Sequence, residues 1–250
     1  MDGPLIVNIE TTNHCNLKCE YCPHKDMKRP KGYMSDEIFE KCVHDALEFP
    51  SVQRIQPFRT GEAFVDPKIY ERVRYINEKA PRHIVVFFSN FSIPFKKDEM
   101  SSWNPAMFVF SYNTNVDFDV VKTNIEITKE LDMPTEIHVV NEGGLYESAL
   151  AFGRDVDVPV VGCAKYNWAG KIPSDYKIKD GYCIRPSRSL QVLWDGRVDL
   201  CCMDVDGEVI LGDIRENSLR EIWNSELAKK YREHKKSELD FCRNCNMQVK

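Results

Sequence analysis

An apolar run, Leu5-Ile6-Val7-Asn8-Ile9, is followed by three cysteines, Cys15, Cys19 and Cys22, spaced Cys-x3-Cys-x2-Cys with Tyr21 just before the last. A short loop at the end of a strand can wrap three thiolates round one face of an iron-sulfur cubane, which needs a ligand for each iron. The spacing predicts a cluster with one iron left for a ligand that is not protein, and an open iron is a place for chemistry. The alternative is a tetrahedral Cys3His zinc site, with His24 as the fourth ligand. Disulfides fit poorly, because Met1 to Glu10 shows no basic start, apolar core or cleavage site that would send the chain to an oxidising compartment. Ten cysteines in a cytoplasmic protein mean metal or redox chemistry.

At 250 residues the chain can form one sizeable α/β core with a small appended module. Its longest apolar run, Ile84 to Phe88, is far short of the roughly 18 residues a membrane helix needs, so no membrane association is expected. A net charge of -5 without a long basic stretch argues against nucleic acid, which demands clustered Lys and Arg. The one basic patch, Lys25 to Lys31, reads as a solvated loop.

From Leu5 to about Pro173, short β-rich runs alternate with helical stretches, the pattern of βα units feeding a parallel sheet. Six strands are expected: Leu5 to Glu10, Arg54 to Phe58, His83 to Phe88, Met107 to Ser111, Glu136 to Val140 and Val158 to Cys163. Ser35 caps a helix that Pro50 stops, with Ile38, Cys42, Ala46 and Leu47 on one face. Asp66-Pro67 opens another, with Ile69, Val73 and Ile76 as its buried stripe. Asp117 caps a third carrying Val120, Val121, Ile127 and Leu131, and Leu145 to Phe152 is a short fourth. Six right-handed βα units close partway into a barrel, with ligands at the carboxyl ends of the strands, where the cysteine loop lies.

After Pro173 the texture changes. Leu190 to Trp194 and Arg197 to Cys201 flank Asp195-Gly196, a hairpin signal, and Val209-Ile210-Leu211 supplies a third strand. One helix follows, with Leu219, Ile222, Trp223, Leu227 and Tyr231 on a single face. The division expected is residues 1–173 and 174–250. Cys183, Cys201, Cys242 and Cys245 form a second set, Cys-x17-Cys-x40-Cys-x2-Cys, whose four thiolates close a coordination shell. A zinc ribbon would use the same residues. Cys202 would point the opposite way to Cys201 along a strand, a spare thiol able to exchange roles with it.

The first cysteine set resembles the motif of the radical S-adenosylmethionine superfamily. Residues 183–245, with Gly196, Leu211-Gly212-Asp213-Ile214 and Glu221-Ile222-Trp223, resemble its Twitch module, the shortened SPASM domain. The resemblance implies a partial (β/α)6 barrel with a C-terminal Twitch domain of β-hairpin plus helix. It implies two [4Fe-4S] clusters, a catalytic one on Cys15, Cys19 and Cys22 and an auxiliary one on Cys183, Cys201, Cys242 and Cys245. S-adenosyl-L-methionine would chelate the open iron and be split, on one-electron reduction, to a 5′-deoxyadenosyl radical. Thr60-Gly61-Glu62 resembles the family's Gly-Gly-Glu element, which receives the methionyl amino group, and Ser89-Asn90 resembles a Thr-Asn-Gly element of the same site. Ser111 resembles a serine that bonds the cofactor, Asn113 and Asn141 are further candidates, and Tyr21 would lie near the adenine.

Tyr166 to Lys171 resembles the junction between barrel and module, with Lys171, Asn167 and Arg185 as candidate substrate contacts. Glu142 is a candidate base, and His138 reads as a structural histidine that could also serve as one. The resemblance points to oxidation of a small hydroxylated substrate of sugar or aminocyclitol type, with flavodoxin or ferredoxin as electron donor. The alternatives are a redox-neutral epimerase with Cys163 as hydrogen donor, although Cys163 also reads as a small buried hydrophobe, and a peptide-modifying maturase.

Overall fold

Nine strands and nine helices organise the described residues of the computed structural model, 3–104 and 106–247. Met1, Asp2 and residues 248–250, with which the two expected units begin and end, lie outside them. In chain order these are β1 (Ile6–Ile9), α1 (Asp36–Leu47), β2 (Arg54–Gln56), α2 (Ile69–Lys79), β3 (Ile84–Ser89), α3 (Lys97–Met100), β4 (Met107–Ser111), α4 (Phe118–Glu130), β5 (Thr135–Val140), α5 (Leu145–Asp155) and β6 (Val160–Cys163). Then come α6 (Arg185–Arg188), β7 (Ser189–Val192), β8 (Arg197–Asp199), β9 (Ile210–Asp213), α7 (Leu219–Asn224), α8 (Glu226–Glu233) and α9 (Asp240–Arg243).

Strands β1 to β6 pair in parallel in their sequence order, as six βα units require. The arc does not close on itself. On its other side β1 pairs in parallel with β7, Ile6 against Ser189 and Ile9 against Val192, and the antiparallel β8 and β9 extend the same sheet. The hairpin expected after Pro173 is present, but it continues the barrel sheet, and β1 becomes an interior strand.

The caps read from the sequence hold. Ser35 accepts a bond from the Ile38 amide at 3.3 Å, and Asp117 from the Asp119 amide at 2.9 Å. Asp66 instead shapes a turn before α2: its carboxylate accepts from the Lys68 amide at 3.0 Å and pairs with Arg72 at 2.8 Å. The buried face of α4 is Val121, Asn124, Ile125 and Thr128, not the all-apolar stripe expected, which leaves Val120, Ile127 and Leu131 half-buried. Asn124 is the reason. Its amide donates to the carbonyls of Phe91 (2.9 Å) and Ile93 (2.8 Å) and accepts from the Phe95 amide (2.8 Å), pinning the chain after β3. There Phe64, Phe87, Phe95 and Phe108 stack into an aromatic core.

The single C-terminal helix expected is two. Ser225 ends α7 in an extended conformation and its side chain caps α8 at the Ala228 amide, so Leu219, Ile222 and Trp223 are buried while Leu227 is 41% exposed.

Buried charge ties the two halves together. Glu10, just past β1, receives both terminal nitrogens of Arg29, one at 2.6 Å, and Arg59 pairs with Asp199 at the end of β8. Arg29 is therefore the exception to the solvated reading of Lys25 to Lys31, in which Lys25, Lys28 and Lys31 are exposed. Arg59 also donates to the carbonyls of Cys201 (3.0 Å) and Asp204 (2.5 Å). Removing one member of such a pair strands a charge in the core. Asp199→Ala is expected to destabilise by about 3–5 kcal/mol, seen as a thermal midpoint lower by on the order of 10 °C; an unchanged midpoint would contradict the structural weight of this pair.

Candidate active site

Beyond β1 the chain is held by side-chain amides and hydroxyls. Asn13 donates to the Pro30 carbonyl (2.9 Å) and accepts from the Gly32 amide (2.8 Å), while Thr12 donates to the Gly32 carbonyl (2.9 Å). The buried His24 ring donates to the Asn13 carbonyl at 2.7 Å, which gives it a structural task in place of the zinc ligation considered above. This bracing leaves Cys15, Cys19 and Cys22 half-buried on one loop. Burial, with neighbouring negative charge, pushes Cys15 and Cys22 up to about 11. Three thiols without an imidazole or carboxylate ligand among them make a soft donor set that suits iron-sulfur chemistry.

Gly61 holds a left-handed φ of +98°, and a Cβ there would meet the His14 carbonyl oxygen at 2.5 Å. The next amide, Glu62 N, donates to that same carbonyl at 2.8 Å. Glu62 is 2% exposed and its carboxylate accepts from Ser89 Oγ (2.9 Å) and the Asn90 amide (2.8 Å). Burial pushes its carboxyl up. Asn90 in turn donates to Asn16 Oδ1 at 3.0 Å, inside the cysteine loop. Gly61, Glu62, Ser89 and Asn90 thus meet against the cysteine loop at His14 and Asn16. Asn113 instead folds its own loop, bonding the Ser111 carbonyl and the Asn115 amide, and the Asn141 side chain is exposed, so neither joins the group.

A cavity of about 190 Å³ opens at the carboxyl ends of β3 to β6. Its walls are Tyr21, Phe88, Tyr112, Tyr166 and Trp168, with Ser111, His138, Cys163 and Lys165 as its polar members. The Tyr21 hydroxyl donates to the Tyr112 carbonyl at 3.2 Å, and its own carbonyl accepts from the Trp168 indole at 3.1 Å. His138 lines the cavity with a partner at each ring nitrogen, and Cys163 is half-buried in the same wall, not a buried hydrophobe. The imidazole lies 2.9 Å from Glu136 and 3.7 Å from the Cys163 sulfur, and these contacts raise its pKa above the usual histidine value.

Among the described residues the cavity wall includes neither Glu142 nor Lys171. Lys171 is clamped by Asp206 and Glu208, each at 2.7 Å, and Glu142 pairs with Lys165 at 2.7 Å. Each of the two side chains meets an opposite charge that the local sequence does not reveal. Asn167 is likewise structural, exchanging amide bonds with Asn246 at 2.9 and 3.0 Å.

The second set gathers around an apolar knot in which Cys201, Cys242 and Cys245 are buried with Leu200, Met203 and Met247. Cys183 is half-buried, close enough for its charge to raise both Cys242 and Cys245, and Cys242 is pushed up to about 12, chiefly by burial. Strand β8 stops at Asp199, so Cys201 and Cys202 share a turn and do not alternate along a strand. The Cys202 sulfur accepts from Arg185 at 3.1 Å, and the adjoining Cys201 thiol together with that guanidinium pulls the Cys202 thiol below the usual cysteine value. Arg185 also sits over the Tyr166 ring, 5.9 Å from its centroid. Among the described residues no three His, Cys, Asp or Glu crowd closely enough to hold a single ion; each cysteine of a cubane binds a different iron and needs no such crowding.

Trp168 joins the two cysteine sets. It bonds the first cysteine loop through Tyr21 and packs against the knot of the second set. It stands in a run of three left-handed residues, with φ of 49° at Trp168, 56° at Ala169 and 92° at Gly170, a strained corner that aims the indole.

Residues 183–246 match the SPASM family, described as an iron-sulfur cluster-binding domain. A 71-residue stretch is 32% identical to the tungsten-containing aldehyde ferredoxin oxidoreductase cofactor-modifying protein of Pyrococcus furiosus, covering 28% of this chain and 20% of that one. The S-adenosyl-L-methionine-dependent 2-deoxy-scyllo-inosamine dehydrogenase of Niallia circulans is 20% identical over 96% of this chain and 92% of its own. The crystal structure of BtrN in complex with AdoMet and 2-DOIA superposes with a TM-score of 0.67 at 20% identity, covering 98% of this chain and 93% of that one.

Iron content separates the two adjacent cysteines. Cys201→Ala is expected to lose about four irons per chain and Cys202→Ala to retain them, in parallel iron and sulfide assays on the reconstituted protein; the reverse pattern would exchange their roles. Residues 183–246 thus match an iron-sulfur cluster-binding domain, and the chain as a whole shares its fold with BtrN.

Proposed function

We propose that this chain is an oxidoreductase acting on a small hydroxylated substrate of sugar or aminocyclitol type. The supporting observation is the aromatic-walled cavity between the two cysteine sets, with Tyr21 from the first loop and Trp168, packed on the second, in its wall. With S-adenosylmethionine at the open iron of a [4Fe-4S] cluster on Cys15, Cys19 and Cys22, one-electron reduction supplies a means of removing a hydrogen atom from carbon. Everything else falls to the chain's own groups.

Glu62, held by Ser89 and Asn90, would take the methionyl ammonium, and Gly61 leaves room for that approach. Ser111, in the cavity wall, would bond the carboxylate or ribose. The rings of Tyr112, Tyr166 and Trp168 would cover the C–H faces of a cyclic substrate and exclude water, while His138 would reach one of its hydroxyls. Cys183, Cys201, Cys242 and Cys245 would close every protein-side position of a second [4Fe-4S] cluster, which leaves it electron transfer as its task. A flavodoxin or ferredoxin would provide the reducing electron.

A redox-neutral epimerase is favoured by one observation of its own, the Cys163 thiol in the cavity wall, from which it could return a hydrogen atom. Product mass decides. Reconstituted protein with S-adenosylmethionine, dithionite and a panel of aminocyclitols and sugars is expected to form 5′-deoxyadenosine together with a product two hydrogens lighter. Deoxyadenosine with a product of unchanged mass in ordinary water, and one mass unit heavier in deuterium oxide, would replace oxidation by epimerisation. Gly61→Ala, with its side chain driven onto the His14 carbonyl, is expected to slow S-adenosylmethionine cleavage about 100-fold; unaltered cleavage would remove the Gly61-Glu62 turn from the cofactor site.

A further inference from the structure

Strands β5 and β6 align three ionisable side chains, two of them in the cavity wall. Glu136 and His138 stand two apart on β5 and share a face, and Cys163 ends β6 opposite Val140, diagonal to His138. His138 Nε2 lies 2.9 Å from Glu136 Oε2, and Nδ1 lies 3.7 Å from Cys163 Sγ. A carboxylate can only accept, so Nε2 carries the proton and Nδ1 presents its lone pair to the thiol. The Phe88 ring meets the imidazole edge-on at 5.8 Å and restricts its plane. Cys163 and His138 both face the cavity, while Glu136 stays outside its wall. This is a thiol, an imidazole and an orienting carboxylate in series, the arrangement that activates a nucleophile or base.

We propose that Glu136, His138 and Cys163 work as one proton-accepting unit, with Glu136 orienting the imidazole and Cys163 relaying protons to Nδ1. Resting on the reading of a hydroxylated substrate, the unit completes its oxidation. The substrate O–H proton passes to Cys163 Sγ while the thiol proton passes to His138 Nδ1, leaving an imidazolium paired with the Glu136 carboxylate. The carbinol carbon gives up its hydrogen atom to the cofactor-derived radical and one electron to the auxiliary iron-sulfur cluster, and the C=O bond forms. Cys163 touches the substrate in this scheme; Glu136 is a positioning residue.

The unit can be tested without any substrate. In the anaerobically reconstituted full chain, iodoacetamide alkylates Cys163 as its sulfur displaces iodide and its proton goes to Nδ1. The alkylation rate at this cysteine, followed by peptide mass spectrometry at neutral pH, is expected to fall about tenfold in His138→Gln and by a smaller factor in Glu136→Gln. Cluster absorbance read alongside reports whether each variant is folded, and Glu136→Gln, at a partly exposed position, serves should His138→Gln fail to fold. Equal rates in all folded forms, or a Cys163 labelled only after unfolding, would overturn the unit. Product mass tests the dehydrogenase reading separately, so the failure of either stays distinguishable from the failure of the other.

Discussion

Four charges without access to water, Glu10, Arg29, Arg59 and Asp199, fix where the two cysteine sets stand relative to each other. Burying them is expensive unless each finds its partner, so the network tolerates one geometry. Glu10 leaves β1 toward the first cysteine loop; Asp199 ends β8 just before Cys201. Arg59, immediately before Thr60-Gly61-Glu62, pairs with Asp199 and takes the Cys201 carbonyl, and its guanidinium fork serves both. A single side chain thus links the turn proposed for the cofactor to the loop of the second set. The continuous sheet, with β7 hydrogen-bonded along β1, gives that link a rigid frame.

On this frame the chemistry-bearing groups stand at strand ends and in loops, where a side chain can leave the sheet. Two kinds of polar residue do different work there. Asn13, Asn124, Asn167 and Asn246 spend their amides on carbonyls and amides of distant segments and hold loops in place. Ser111, His138 and Cys163 line the cavity instead. Trp168 belongs to both groups, because its strained backbone aims an indole that anchors Tyr21 while its ring helps to wall the cavity.

Much of the fold was legible in the sequence, since strands β1 to β6 follow apolar runs and the Ser35 and Asp117 caps mark helix starts. The cysteine spacings exposed both thiol sets, and Gly61-Glu62 stood out by its register after the second strand. What stayed hidden depends on partners far away in the chain. Nothing local in Leu190 to Trp194 says that β7 pairs with β1, 182 residues earlier as measured by the Asn8 to Leu190 bond. Lys171 and Glu142 looked available because Asp206, Glu208 and Lys165 cannot be read as their partners from the neighbouring sequence. Asn124 broke the apolar stripe of α4 for the sake of carbonyls more than thirty residues back. His138 and Cys163 were each readable as inert, and only the diagonal across two parallel strands joins them.

The central claim is that the two thiol sets differ in kind, one leaving an iron open for S-adenosylmethionine and the other closed. Electron paramagnetic resonance of the dithionite-reduced holoprotein tests it directly, recorded with and without S-adenosylmethionine, and again in a variant with Cys15, Cys19 and Cys22 all changed to alanine. The result expected is that S-adenosylmethionine alters the signal of one cluster only, and that the signal remaining in the variant does not respond. A wild-type spectrum indifferent to S-adenosylmethionine, or a response that survives loss of the three cysteines, would contradict it.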